Sequence, residues 1–349
     1  MHQLAHHCAL QFAVSVIDLA PLGNGLINDT FLVTTSNGQF VLQRINARVF
    51  PAPEAIIANL LVIDQHLRQK TTYQLKIPGL LTTLSGDTFY KDEHDDCWRA
   101  QHFIEQTISL EAPESLADAQ QVGFALGHFH QLLSDLDASL LNDTLPGFHI
   151  APDYLARYLA ISQQSILQDT YCTHFIERFT PFVDQLENAK HQGILPIRTI
   201  HGDPKLNNFL FNQQRSIVSL IDLDTVKPGL VHYDIGDCLR SCCHDLANDR
   251  FDLAVCAAVL KTYLAETGQF FSDAEYALLF AAIQLIPFEL GLRFYTDYLE
   301  GNRYFKVTQP EQNLHRAISQ FRLCADITDK KSAICALIDD CKPATILPS

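Results

Sequence analysis

"HGDPKLNN", His201 to Asn208, sets a histidine, a carboxylate, an ammonium and two carboxamides within eight positions. Asp203 is followed by Lys205 two residues on and by Asn208 five residues on. A single Asp or Asn in a loop is ordinarily a turn residue, so the order and spacing of the set carry the information. About a dozen residues later "LIDLDT" sets Asp222 behind the apolar pair Leu220-Ile221, where a buried metal ligand at a strand end belongs. Asp224, two along, points the same way in an extended chain.

Composition bounds what this cluster can serve. The chain has 349 residues, enough for one large domain or two lobes around a shared cleft. Hydrophobic residues make up 47% and charged residues 19%, as in ordinary globular proteins. The net charge of −15 argues against nucleic acid or an anionic membrane as partner. It leaves room for a nucleotide screened by Mg²⁺. The ten cysteines form no CxxC pair, and Cys242 and Cys243 are adjacent, a pattern of reduced, buried thiols in a cytoplasmic protein. The opening "MHQLAHHCALQFAV" lacks the basic and long apolar regions of a signal peptide. No run of about 18 uninterrupted apolar residues occurs, so no membrane span is expected. His6, His7 and Cys8 are read as a frayed tail rather than as metal ligands.

The first hundred residues alternate in the manner of strands. "VSVIDLAPLGNG" runs into a glycine turn, "DTFLVTT" resumes, and Asn37-Gly38 predicts a type I′ hairpin into "QFVLQRIN". "PAPEAIIANLLVIDQHLRQK" reads as a helix with prolines at its start. "GDTFYKDEHDDCWRAQHFIE" reads as two strands joined by a solvated acidic tip, Asp92 to Asp96. From Ser115 the period becomes helical, with Val122, Leu126, Phe129, Leu133 and Leu136 on one face. One strand-like insert, "FLFNQQRSIVSLIDLD", interrupts it. The expected fold is α+β and bilobal: residues 1–107 a β-rich lobe with one helix, residues 108–349 a larger, mainly helical lobe.

Phosphoryl transfer needs a phosphate cradle, a divalent cation, a group that takes or orients the acceptor proton, and charge stabilisation. Asp203 suits the proton, Lys205 the transferring phosphoryl group, and Asn208, Asp222 and Asp224 the Mg²⁺, which prefers hard oxygen ligands. The order is that of the protein-kinase catalytic loop. "GNGLIN" supplies a cradle at Gly23, Gly25 and Asn28, between two strands rather than between strand and helix. No G-x-x-x-x-G-K-[ST] occurs.

On these residues the sequence resembles the aminoglycoside-phosphotransferase/choline-kinase superfamily, which has the protein-kinase-like fold, with "HGDPKLNN" as its H-G-D-x-x-x-x-N loop and "IDLD" as its counterpart of D-F-G. Within it the stretches "GNGLINDTFLV", "FVLQRIN", "IDLDTVKPGLVHYDIGDCLR" and "LRFYTDYLEGNRYF" are most similar to the N-acetylhexosamine 1-kinases. The resemblance implies ATP and Mg²⁺ as cofactors, Asp203 as base for a sugar's anomeric hydroxyl, and Asp29, Tyr233, Arg293 and Tyr304 as sugar-binding groups. It implies a catalytic loop braced from a helix by Asp237, while His201 is read from the loop itself as a structural brace. It also implies adenine bound by the backbone of Phe103, Ile104 and Glu105, between the lobes.

One departure stands out. Kinases carry a lysine on the third strand, paired with a helical carboxylate, whereas "FVLQ" puts Gln43 there. Either Gln43 hydrogen-bonds a phosphate, with Asn59 as its neutral helical partner, or Arg44 bends into the site. Only fifteen residues separate Asp222 from Asp237, too few for a long activation segment, so constitutive activity is expected. The reading is phosphorylation of N-acetylglucosamine or N-acetylgalactosamine at the 1-hydroxyl. Its rivals are a kinase for an aminoglycoside, choline or homoserine, and a nucleotide-binding pseudokinase. The oligomeric state is left open.

Overall fold

A computed structural model describes residues 2–23, 27–70 and 74–342. The N-terminal half is built on an antiparallel sheet of β1 (Asp18–Pro21), β2 (Asp29–Thr35), β3 (Gly38–Arg44), β4 (Leu80–Leu81), β5 (Tyr90–Lys91) and β6 (Cys97–His102), ordered β1-β2-β3-β6-β4 with β5 also on β6. Two helices accompany it, α1 (His2–Ala9) and α2 (Pro53–Leu67).

Strand alternation sorts the sheet's two faces. Phe31, Val33, Phe40, Leu42, Trp98 and Ala100 form an outer apolar layer, covered by Ala5, Cys8 and Ala9 of α1. The opening segment is therefore an ordered helix and not a frayed tail. Its small apolar residues recur at helical spacing and close a sheet face that would otherwise meet water. His6 and His7 point outward while Cys8 is buried, so these three do not converge.

The β2–β3 hairpin turns at Ser36-Asn37, one residue earlier than expected, with Thr35 paired to Gly38. Thr35 sets this register: its Oγ1 donates to the Gly38 carbonyl (2.9 Å) and accepts from Asn37 N (3.1 Å). Gly38 uses its positive φ (119°) as the first strand residue. The acidic tip is likewise not simply solvated. Asp92 is buried and accepts from Trp98 Nε1 (2.8 Å) and from the backbone of His94 and Asp96.

The larger region is helical: α3 (Leu116–Leu132), α4 (Ala151–Ser162), α5 (Thr170–Phe179), α6 (Gln185–His191), α7 (Val231–Cys243), α8 (Leu253–Thr267), α9 (Asp273–Leu299), α10 (Gln312–Asp329) and α11 (Lys331–Asp340). Short strand pairs interrupt it: β7 (Arg198–Ile200) with β10 (Lys227–Gly229), β8 (Phe209–Phe211) with β9 (Ile217–Leu220), and β11 (His244–Asp245) with β12 (Arg250–Phe251). One continuous core joins these helices to α2. Ser115 caps α3 by accepting from Asp118 N, and Ser272 with Glu275 forms a capping box on α9. Helix α9 is long and apolar enough to cross a bilayer by composition, but 67% of its apolar window is buried inside the fold. All ten cysteines are unpaired and eight are buried.

Candidate active site

Strands β7 and β9 deliver two loops side by side at the mouth of the cleft between sheet and helices. The first is His201 to Asn208 and the second Ile221 to Val226. They are stitched by Ile221 N to Asn208 O (2.9 Å), Thr225 Oγ1 to His201 O (2.9 Å) and His201 Nε2 to Ile221 O (3.0 Å). Gly202 sits at φ 87°, and a Cβ there would lie 2.6 Å from the Thr225 carbonyl oxygen. Only glycine allows both that conformation and that approach.

Three buried groups hold the first loop from behind. Asp234 on α7 accepts from His201 N (2.6 Å) and Gly202 N (2.8 Å), and His130 Nε2 of α3 donates to the same carboxylate (2.9 Å). Burial acts to raise its pKa, but these hydrogen bonds and the neighbouring histidines outweigh it and hold it below the usual carboxylate range. The brace expected at Asp237 is thus Asp234, one helical turn earlier; Asp237 pairs with Arg240 (2.8 Å) instead. His149, at φ 67°, donates from Nε2 to Gly202 O (2.7 Å), and its Nδ1 lies 3.2 Å from Glu289 of α9. Burial would lower its pKa, yet Glu289 outweighs burial and raises it. His201 is wholly enclosed, and burial keeps it neutral by lowering its pKa.

Asp203 and Lys205 face the cleft together, with Nζ 2.5 Å from the carboxylate. Burial opposes the lysine's charge, but Asp203 and Asp222 raise its pKa above the usual lysine range. Asn208 donates from its amide nitrogen to Asp203 O (2.8 Å), which leaves its amide oxygen as the pole open to a cation. Asp222 adopts a left-handed conformation (φ 66°), and its carboxylate accepts no hydrogen bond among the described residues. The residue is exposed to solvent in the cleft, with protein atoms packed closely round its carboxylate. Loss of hydration first, then the charges of Asp224 and Asp203, push its pKa up to about 6.

Asp224 stays close enough for its charge to act on Asp222, but its carboxylate is turned to the sheet. The left-handed residue and the 3₁₀ turn that follows it, Leu223–Thr225, break the alternation that would have aligned the two acids. Both Asp224 oxygens are engaged: one by Arg99 of β6, the other by Asn28 Nδ2 (2.7 Å). Asn28 also accepts from Asn46 N (3.0 Å), so its carboxamide is a strut between β2 and the second loop. Gly23 has φ 70° at the end of β1, and Gly25 lies outside the described residues.

Arg99 is buried to 1% exposure on the sheet's cleft face. Gln43, its register partner on β3, accepts from Arg99 Nε (3.1 Å) and Nη2 (2.8 Å) and donates to Thr30 Oγ1 of β2 (3.1 Å). Gln43 therefore faces the cleft but is tied into a rung across three strands. Its expected partner Asn59 is elsewhere, fastening α2 to Asn142 and Val226. Arg44 does not bend inward; it binds Asp29 (2.6 Å) and Asp96 (2.9 Å). Asp29 shares that pair and, by alternation, lies on the face of Phe31 rather than that of Gln43.

Phe103, Ile104 and Glu105 follow β6 and lead to Ile108, which bridges to Phe211 of β8. They form a link between sheet and helices. Beyond Asp203 opens a cavity of about 150 Å³ lined by Leu145, Tyr154, Arg293, Asp297, Tyr304 and Phe305, among others. The Arg293 guanidinium lies 5.1 Å from the ring centres of Phe148 and Tyr154, 5.6 Å from that of Phe305 and 5.9 Å from that of Tyr304. It has no carboxylate partner within ion-pair distance among the described residues. Asp297, four residues on and so on the same helix face, accepts from the backbone of Arg303, Tyr304 and Phe305 and shapes the rim. Tyr304 is 47% exposed there. Tyr233 is not in the cavity: it is buried against His149, and its hydroxyl donates to Glu187.

The sequence reading brought Asp203, Lys205, Asn208, Asp222, Gln43, Arg293 and Tyr304 to one cleft and its adjoining cavity. It missed Asp234, His149 and Arg99. Asp234 and Asp237 share a helix face, so spacing alone does not separate them. Arg99 had a signal, a lone cation alternating with apolar residues in "CWRA".

The sequence profile of the phosphotransferase enzyme family matches residues 18–277. Solved structures agree with the fold. The microcompartment-associated aminopropanol kinase is 17% identical with TM-score 0.70, over 96% of this chain and 99% of that one. A choline/ethanolamine kinase family protein from Mesorhizobium loti is 14% identical with TM-score 0.65, over 97% and 98%. The aminoglycoside phosphotransferase from Alicyclobacillus acidocaldarius is 14% identical with TM-score 0.64, over 94% and 95%. With a helical region behind an antiparallel sheet and the family profile spanning most of its length, the chain belongs to the phosphotransferase enzyme family and is a small-molecule phosphotransferase.

Proposed function

We propose that the protein transfers the γ-phosphate of ATP to the anomeric hydroxyl of an N-acetylhexosamine. The observation that carries this reading is the small cavity beside the catalytic loop, lined by Arg293, which has no ion-pair partner among the described residues, by Tyr304, and by Arg157, Asp297 and Glu300. This balanced mixture of guanidinium, carboxylate and phenol groups suits an uncharged acceptor rich in hydroxyl and carbonyl oxygens better than a polycationic aminoglycoside or a quaternary amine. The cavity's size also suits one sugar ring better than several.

Asp203 takes the acceptor's hydroxyl proton as the new O–P bond forms and the β–γ bridge breaks, releasing ADP. Positioning matters more than basicity in such a step. Lys205, held protonated, turns from Asp203 to the phosphoryl oxygens. The donors present fit a divalent cation: an unpartnered Asp222 carboxylate crowded by other acids, beside the open amide oxygen of Asn208. Magnesium bound there would neutralise phosphate charge. No group of three His, Cys, Asp or Glu side chains gathers among the described residues, so its remaining ligands would be phosphates and water. The backbone of Phe103 to Glu105 is offered to adenine.

The test is ADP release with Mg-ATP against N-acetylglucosamine, N-acetylgalactosamine, choline, homoserine and kanamycin. Turnover confined to the two acetamido sugars is expected. Turnover confined to any of the other three acceptors would refute the sugar reading.

A further inference from the structure

We propose that Arg99 is the phosphate-anchoring cation of the nucleotide site, reaching from β6 into the place where kinases use a lysine of the third strand. The inference rests on the phosphotransfer reading above and adds a residue to it.

The donor count of the guanidinium carries the argument. Arginine has five N–H donors in a rigid plane. The Nε proton and one Nη2 proton clamp Gln43 Oε1, and the other Nη2 proton goes to Asp224. Both protons of Nη1 are left without a partner among the described residues, although that atom is fully buried. An unpaired buried donor on a charged group is costly, by about 1–3 kcal/mol or more. A fold that clamps Nε and Nη2 and leaves Nη1 bare has fixed the direction of the two remaining donors for a ligand atom.

The location identifies the ligand. Arg99, Gln43 and Thr30 form one rung on the cleft face, and Arg99 reaches across to the loop that carries Asp222. The guanidinium thus lies between the sheet and the loop of the cation-binding carboxylate, where the phosphates of a nucleotide must run if its terminal phosphate is to meet Asp203. Two charged N–H donors fixed in one plane suit separate phosphate oxygens. The arrangement also resolves the departure at Gln43: its carboxamide orients the cation instead of touching phosphate itself. The ion pair between Arg99 and Asp224 then couples the sheet to the second loop, as lysine and glutamate couple sheet and helix in protein kinases.

Removing Arg99 alone would strand the buried Asp224 charge, so the informative variant is the double replacement Arg99→Gln/Asp224→Asn. Folding is checked by thermal unfolding, and MgATP and adenosine are titrated separately by calorimetry. The expected result is a folded double variant that binds MgATP about ten- to a hundredfold more weakly than wild type, with adenosine affinity changed less than about twofold. Arg99→Lys should recover part of the loss. Unchanged MgATP affinity in the folded double variant would overturn the proposal and make Arg99 a counter-ion for Asp224. A wild-type protein that binds no MgATP would overturn the phosphotransfer reading, and Arg99 with it.

Discussion

Replacing Asp234 by asparagine asks whether the catalytic loop is held from behind as described. The side chain keeps its shape but exchanges one acceptor oxygen for a donor NH₂. In wild type one oxygen faces Gly202 N and the other faces both His201 N and His130 Nε2, all at 2.6–2.9 Å. Either orientation of the amide therefore sets a donor against a donor in a fully buried place. The less damaging orientation sacrifices the Gly202 bond, at about 1–3 kcal/mol for the stranded N–H. The two surviving bonds lose their charge assistance, about 1 kcal/mol each. The sum is about 3–5 kcal/mol, a large part of a typical domain's stability. Urea unfolding should show the midpoint lowered with an unchanged slope, and turnover should fall because Gly202 adjoins Asp203. Asp234 has a depressed pKa, so its stabilisation is present above the unfolded value near 4 and lost as pH falls through the folded one. The variant should lack that acid-sensitive part. An Asp234→Asn protein with wild-type unfolding free energy, or a larger loss from Asp237→Asn, would refute the reasoning.

Gly202→Ala should lower the melting temperature by a few degrees and reduce turnover, because a Cβ at φ 87° lies 2.6 Å from Thr225 O; an unchanged melting curve would contradict the packing. His232 donates to Glu275 O (2.9 Å), and burial lowers its pKa to about 4. The unfolded chain takes up this proton first, so stability should decline from pH 6.5 to 4, by at most about 3 kcal/mol from this residue. His232→Gln should flatten that part of the pH–stability curve, and an unaltered slope would show that His232 is not its source.

The strands, the hairpin, α2 and the onset of helices at Ser115 were readable because each rests on local periodicity or turn chemistry. The two functional loops were readable because their side chains sit within a few residues of one another. What escaped depends on contacts between distant segments. Nothing local separates Asp234 from Asp237 until the loop they might brace is placed. Asp224 was misread because one left-handed residue, Asp222, undoes the alternation of an extended strand. The same holds for Asn59, whose carboxamide meets Asn142, 83 residues away. α1 was lost because its histidines drew more notice than the apolar residues that bury it.

Product analysis by ³¹P NMR, with ATP, Mg²⁺ and N-acetylglucosamine, tests the central claim most directly. The account predicts an anomeric sugar phosphate, its signal split by the C1 proton, from the wild-type protein, and about 10²–10⁴-fold slower formation with a folded Asp203→Asn variant. Phosphate on another carbon, hydrolysis to inorganic phosphate alone, or equal rates for the two proteins would contradict it.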